Sequence, residues 1–293
     1  MLRSFLATLA VTLGLVATSA EAKTVRMAVT DLVGLEELQR EFGEFKKVLT
    51  ETTGYEIEFL PVSNRTAAVE ALRFKKVDLV MTGPAEYVVI KKRAPKTRIV
   101  AGLSRPDYFA VVVTLANAPY NLAKDLKGKK VGIGPVGSTS RHLGPIQVFA
   151  DGGLEPLKQL EITHTKAPML WEALKRGDVQ AIGFNNTDFL KLRAKEAEGG
   201  LQPGAFRVIG RGPDLPNDML MAGEHVEAEV VETIRKAFAE HGPRFIDAIL
   251  VGEENKKYKG MQFLTKLDDK DYNYVRSMYR TAGFPEYSDF IGD

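Results

Sequence analysis

Short apolar runs separated by helix-length amphipathic stretches recur along this chain, and that alternation limits its fold more than any other feature. Residues 25–29 read as a first strand. Residues 36–53 carry Leu38, Phe42, Phe45 and Leu49 at helical spacing, and Gly54 is suited to end that helix. Residues 55–60 alternate as a second strand that Pro61 stops, and Ser63-Asn64 offers a cap for a helix through Phe74. Residues 77–81 form a third apolar run, after which Thr82-Gly83-Pro84 opens a helix to about Lys92. Strands joined through helices are predicted to lie parallel, with both faces of the sheet covered.

A fourth strand is predicted at 98–103, and residues 108–115 make a long run rich in β-branched side chains. The pattern then restarts. A short helix at 121–126 precedes a strand at 130–133, a helix at 140–150 and a strand at 160–165. A helix at 167–175 carries the sole tryptophan, Trp171, and is followed by a strand at 179–184 and a helix from about 187 to 195. Residues 199–204 read as a loop. Strand-like runs at 206–209 and 219–222 flank a Gly- and Pro-rich return crossing at 210–217, and helices are predicted at 227–240, 243–251 and 268–282.

Two α/β sets in 293 residues exceed the ~100 to 200 residues usual for one domain. The expected division is residues 23–107 for the first part of lobe 1, 108–209 for lobe 2, and 210–293 for the return crossing and the rest of lobe 1, with a helical tail packed back on lobe 1. Two lobes crossed twice enclose a cleft walled by strand ends and helix starts, where α/β sheets bind ligands.

Residues 1–22 place Arg3 before the apolar run 5–16 and close on Ala20-Glu21-Ala22, the order of an export signal cut after Ala22. The run is shorter than the ~20 apolar residues of a spanning helix. A periplasmic mature protein is expected. With no cysteine in the sequence, its stability must come from burial rather than disulfides, and a lipoprotein anchor is excluded. The 40 basic residues nearly balance 38 acidic ones, which gives no footprint for nucleic acid. Four scattered histidines argue against a transition-metal site, so no metal or cofactor is expected.

The densest functional signal is residues 129–145. A strand leads into Gly132-Ile133-Gly134-Pro135-Val136-Gly137, then Ser138, Thr139 and Ser140 at the start of a helix. Glycines admit close approach of the backbone, and free N–H groups at a helix start favour an anion. Helix capping by Ser138 or Ser140 is the plain alternative. The glycine spacing matches a dinucleotide fingerprint, but Glu155 and Glu161 lie beyond the helix and not at a neighbouring strand end. A serine nucleophile with His142 as base is disfavoured, because residues two apart on a helix face different ways, and no enzymatic activity is expected. Tyr87, in the helix opened by Pro84, and Tyr108, at the start of the crossing strand, can offer hydroxyls to a guest. Asn185 and Asn186 follow a strand and can donate to an oxygen without bringing charge, and Arg141-His142 makes the rim basic.

Gly83-Pro84-x-x-Tyr87, Tyr108 before a Val-rich strand, Gly137-Ser138-Thr139-Ser140 with Leu143 and Pro145, and Leu215-Pro216-Asn217-Asp218 together resemble the PhnD-like phosphate/phosphite/phosphonate-binding proteins of ABC importers. The likeness follows nearly the whole chain beyond residue 22 in order. It implies a two-lobed α/β fold of the periplasmic-binding-protein-like II class, each lobe a mostly parallel sheet flanked by helices. It also implies ligand roles for Ser138, Thr139, Ser140, Tyr87 and Tyr108, a small oxyanion as guest, and a membrane permease as partner to a monomeric protein. Aminoalkyl phosphonate binders of this kind are expected to carry carboxylates for the ammonium, whereas the loop 184–188 here has one acid, Asp188. Phosphite, methylphosphonate and phosphate are therefore the expected guests. An oxyanion sensor that signals to a membrane histidine kinase is the alternative role.

Overall fold

The structure is a computed structural model that describes residues 22–30, 32, 34–200 and 204–288. Residues 1–21 of the expected export signal, and residues 201–203 of the predicted loop, lie outside the described residues.

The first lobe runs β1 (Thr24–Val29), α1 (Leu35–Thr53), β2 (Glu56–Phe59), α2 (Arg65–Arg73), β3 (Leu79–Thr82), α3 (Pro84–Arg93) and β4 (Arg98–Leu103). The chain crosses into β5 (Phe109–Leu115), β6 (Lys130–Ile133), α4 (Gly144–Asp151), α5 (Pro156–Gln159), β7 (Glu161–His164), α6 (Ala167–Arg176), β8 (Ala181–Asn185), α7 (Asn186–Glu198) and β9 (Phe206–Asp214). It returns as β10 (Asp218–Ala222), α8 (Ala228–Leu250), β11 (Phe263–Leu264) and α9 (Asn273–Thr281).

The sheets have the orders β11-β4-β10-β3-β1-β2 and β7-β6-β8-β5-β9. Both sheets are mixed: β1, β2, β3 and β4 share one direction and so do β6, β7, β8 and β9, while β11 runs antiparallel to β4 at one edge. β5 lies antiparallel between β8 and β9, and β10 lies antiparallel between β3 and β4. Each is the strand entered directly after a crossing, so each lobe is sewn through its middle. The crossings touch: Leu215 donates its N–H to the Tyr108 carbonyl at 2.7 Å.

Helix α1 forms where the apolar stripe predicts it. Leu38, Phe42, Phe45 and Leu49 are buried, and Gly54, at φ 73°, closes the helix by donating its N–H to Thr50 O at 2.9 Å. Phe45 meets Phe238 and Phe245 of α8 at centroid distances of 6.2 and 5.5 Å. A buried phenylalanine of this kind contributes about 1.5–3 kcal/mol.

The predicted helices at 227–240 and 243–251 run together as α8 but are broken where expected, at the non-helical His241 (φ −123°, ψ 19°), because Pro243 has no N–H for the helical ladder. Two expectations are corrected. The strand predicted to end at 209 continues to Asp214, so the second sheet extends beyond the boundary set at that residue. Gly210 makes this possible: a Cβ there would lie 2.7 Å from Val148 Cγ1 of α4. Pro213 is tolerated because β9 is an edge strand. Finally, the tail does not return wholly to lobe 1. α8 packs on α1 and β11 pairs with β4, but α9 spans the lobes. Its Tyr279 hydroxyl donates to Ala85 O of α3 at 3.1 Å, and Thr281 Oγ1 donates to Gln147 Oε1 of α4 at 2.7 Å.

One glycine fixes the entry to the hydroxyl segment. A Cβ on Gly134 would sit 2.4 Å from Arg141 Cβ and 2.9 Å from its carbonyl oxygen. Gly134→Ala is expected to destabilise the fold by about 1–3 kcal/mol through overpacking, read from the urea midpoint. An unchanged midpoint would show that the loop yields without cost.

Candidate functional site

β6 ends at Ile133 and the chain turns through Gly137, whose φ of 87° suits glycine alone. Residues Thr139–Leu143 then form a π-turn in which the N–H groups of His142 and Leu143 both reach Ser138 O, at 3.1 and 3.0 Å, before α4 begins. The side chains of Ser138, Thr139 and Ser140 are buried and line a cavity of about 50 Å³ between the lobes. A water needs roughly 10–15 Å³ by this measure, so the space suits a guest of a few heavy atoms.

Capping and binding separate clearly. Ser138 stands at the N-cap position yet makes no side-chain cap bond. Thr139 does cap a helix, but on the other lobe: its Oγ1 accepts the Ala85 N–H in the first turn of α3 at 3.0 Å. That bond joins the lobes across the cavity and leaves the threonine proton to donate. Ser140 Oγ accepts from Asn185 Nδ2 at 3.4 Å and hydrogen-bonds with Tyr108. Asn185 Oδ1 in turn caps α7 by accepting the Asp188 N–H at 2.7 Å, which fixes the amide's orientation. Tyr108 lines the cavity, and burial pushes its phenol above the ordinary tyrosine range, with Asp218 adding to and Arg105 opposing the rise. It stays protonated and can donate.

The other three expected residues lie elsewhere. Tyr87 packs on Tyr272 at 4.3 Å and donates to Asp269 Oδ1 at 2.9 Å, behind the cavity wall. His142 turns away from the cavity; its Nδ1 accepts the Gly137 N–H at 3.1 Å. Asn186 lines the wider mouth of the cleft, outside the inner cavity.

The structure adds charged groups to which the sequence reading assigns no ligand role, although Arg65 stands at a helix start and Asp218 in a motif that it singles out. Arg65, at the start of α2, pairs with the buried Glu86 of α3 and reaches the cavity. Arg105, in the first crossing, lies 3.5 Å over the Tyr108 ring and pairs with Asp218 Oδ2 at 3.3 Å. Tyr258 donates to the same Oδ2 at 2.7 Å. The other oxygen, Asp218 Oδ1, is buried with no hydrogen-bond partner. Asp218 lines the cavity beside Gly83, where a Cβ would be 3.2 Å from Glu86 Oε2, 3.5 Å from Asp218 Oδ1 and 3.7 Å from Thr139 Oγ1. The acid foreseen near the site, Asp188, is instead held by Arg141 in a two-bond pair at 2.6 and 3.0 Å.

Hydroxyl donors and arginines can hold an oxyanion, and Asp218 Oδ1 can only accept a proton-bearing group. Known proteins resemble this chain in sequence and fold. The phosphate-import protein PhnD of Mycolicibacterium smegmatis is 24% identical over 232 residues, covering 74% of this chain and 72% of that one. A probable ABC transporter phosphite binding protein, PhnD1, of Prochlorococcus marinus is 30% identical over 125 residues, 40% of this chain and 42% of its own. The solved structure of PhnD1 from Prochlorococcus marinus in complex with methylphosphonate superposes with a TM-score of 0.68 at 18% identity, covering 89% of this chain and 99% of that one. Residues 34–272 match the family described as the phosphonate periplasmic substrate-binding protein of ABC transporters, and the chain belongs to that family.

Proposed function

We propose that the protein captures a small phosphorus oxyanion between its lobes, in a singly protonated form, and delivers it to the permease of an ABC importer. One observation carries the ligand class. Donors from Thr139, Tyr108 and the arginines line a cavity of about 50 Å³ that also holds a buried acceptor, Asp218 Oδ1, with no hydrogen-bond partner. Phosphite, methylphosphonate and phosphate near neutrality can present both bare oxygens and a P–OH. Sulfate has no proton to offer, and leaving a buried carboxylate oxygen facing it costs about 1–3 kcal/mol or more.

Asp218 also revises the reason for preferring a compact guest. The scarcity of acids in residues 184–188 favours a compact guest, yet Asp218 brings an acid from the start of β10. Cavity size favours a compact guest instead, since about 50 Å³ suits a few heavy atoms. Each charge-assisted bond contributes roughly 1.5–3 kcal/mol, so four or five, discounted for desolvation and closure, permit micromolar binding at about 8 kcal/mol. Hinge motion at the two hydrogen-bonded crossings would supply the closure, with Thr139 meeting α3 as the lobes come together. Export with cleavage after Ala22 and action as a monomer belong to the same reading. A kinase-linked sensor would use the same cleft, but the family match is to transport components.

Thr139→Ala combined with Ser140→Ala is expected to weaken phosphite binding tenfold or more, about 1.4 kcal/mol, in calorimetric titration. Unchanged affinity in the folded double variant would contradict the site.

A further inference from the structure

The hydroxyl segment is held from behind by two imidazoles outside the cavity lining. His142 Nδ1 accepts the Gly137 N–H at 3.1 Å, and His164 Nδ1 bonds the Gly134 carbonyl at 2.9 Å. An amide N–H only donates and a carbonyl only accepts, so the two rings must carry their protons differently. His142 has a bare Nδ1 and, when neutral, a proton on Nε2; His164 has its proton on Nδ1. The rings lie 5.2 Å apart, and Phe284 stands edge-on to His142 at 6.4 Å. The four-residue turn from Gly134 to Gly137 is thus gripped at both ends, one grip a donor and the other an acceptor.

Position makes this grip relevant to the ligand. Gly137 directly precedes Ser138, and its φ of 87° fixes the direction in which the next residues leave the turn. Its amide is oriented by His142 rather than by the peptide ladder of the π-turn, whose N–H groups end on Ser138 O. His142 itself lies within that π-turn, so the turn closes on its own entry loop. Across the cleft, a Cβ on Gly137 would stand 3.8 Å from Arg65 Cδ, so the apex of the loop also abuts the first lobe.

We infer that His142 is a positioning residue for oxyanion binding: its Nδ1 acceptor sets the register in which Ser138, Thr139 and Ser140 face the guest. The inference rests on the proposed oxyanion site. It differs from the packing role that a buried ring would fill in any core, and two substitutions separate the roles. His142→Asn keeps an acceptor near the Nδ1 position and loses the ring. His142→Phe keeps the ring volume and loses the acceptor.

Calorimetric titration with phosphite is expected to show His142→Phe weakened tenfold or more and His142→Asn within about threefold of the wild type. Phe binding as tightly as wild type, or Asn binding no better than Phe, would overturn the inference. Nitrogen-15 NMR of the wild-type protein gives a test that does not depend on either variant folding. His142 should be the Nε2–H tautomer with a slowly exchanging Gly137 amide, and an Nδ1–H tautomer would overturn the inference. If the wild type binds no phosphorus oxyanion at millimolar concentration, the oxyanion site fails while the NMR result still decides whether the grip exists.

Discussion

Asp218→Asn is expected to reverse the selectivity of the cleft. Affinity for phosphite or phosphate should fall roughly 10- to 150-fold, the equivalent of one charge-assisted hydrogen bond of about 1.5–3 kcal/mol, while sulfate, expected to bind the wild type at least 100-fold more weakly, gains affinity. The asymmetry follows from the side chain's two oxygens. Oδ2 accepts from Tyr258 at 2.7 Å and from Arg105 at 3.3 Å, bonds that an asparagine oxygen can keep, so the fold should survive. The group in place of Oδ1 becomes an amide that donates, which welcomes a bare oxygen and no longer requires a proton on the guest. Titration of both ligands against the variant checks this; equal loss for both, or no change in either, would remove Asp218 from recognition.

The second large effect is acid destabilisation through His142. Burial, with the neighbouring His164 as the smaller cause, holds its imidazole down from 6.5 to about 4. The unfolded chain therefore binds this proton first as pH falls. The neutral ring's contribution is fully present above about pH 6.5 and is lost progressively down to about pH 4, a change on the order of 3 kcal/mol. Urea unfolding of the wild type and of His142→Asn across pH 7 to 4 isolates it, since the variant lacks the titrating group while keeping an acceptor for Gly137. The wild type should lose more stability than the variant by about that amount. Parallel pH curves would show that His142 titrates in the folded protein much as it does in the unfolded chain.

The alternation of strands and helices was legible because its causes are local. Gly54 and the stripe Leu38, Phe42, Phe45, Leu49 define α1 by spacing, and β4 and β6 fall at the predicted residues 98–103 and 130–133. The glycine-hydroxyl segment was legible as a candidate site for the same reason: the turn, the hydroxyls and the helix start are contiguous. What escaped depends on contacts between distant segments. The reversed direction of β5 and β10 follows from the crossings and not from composition. Gly210 and Pro213 look like loop residues until Val148 is placed opposite one and an open sheet edge beside the other.

The site divides along the same line. Ser138, Thr139, Ser140, Tyr108 and Asn185 reach the cavity because the ends of β5, β6 and β8 converge there. Tyr87 has the right helix but the wrong face, since the tail supplies Tyr272 and Asp269 to receive it. His142 is drawn inward by Gly137, and Asn186 is carried past the cavity by the cap that Asn185 makes. Arg105 comes from the first crossing and Asp218 from the first position of β10, 113 positions apart. Leu215-Pro216-Asn217-Asp218 is visible as a motif, but the carboxylate's setting depends on Tyr258 and Arg105, which hold one oxygen and leave the other buried without a hydrogen-bond partner.

The central claim is that this cleft recognises a phosphorus oxyanion by its proton as well as its charge. Calorimetric titration of the wild-type protein at neutral pH with phosphite, methylphosphonate, phosphate, 2-aminoethylphosphonate, arsenate and sulfate tests it most directly. Saturable micromolar binding of phosphite, methylphosphonate or phosphate, with sulfate at least 100-fold weaker, is the predicted result. Sulfate binding as tightly as the phosphorus ligands, or no binding of any of them at millimolar concentration, would contradict it.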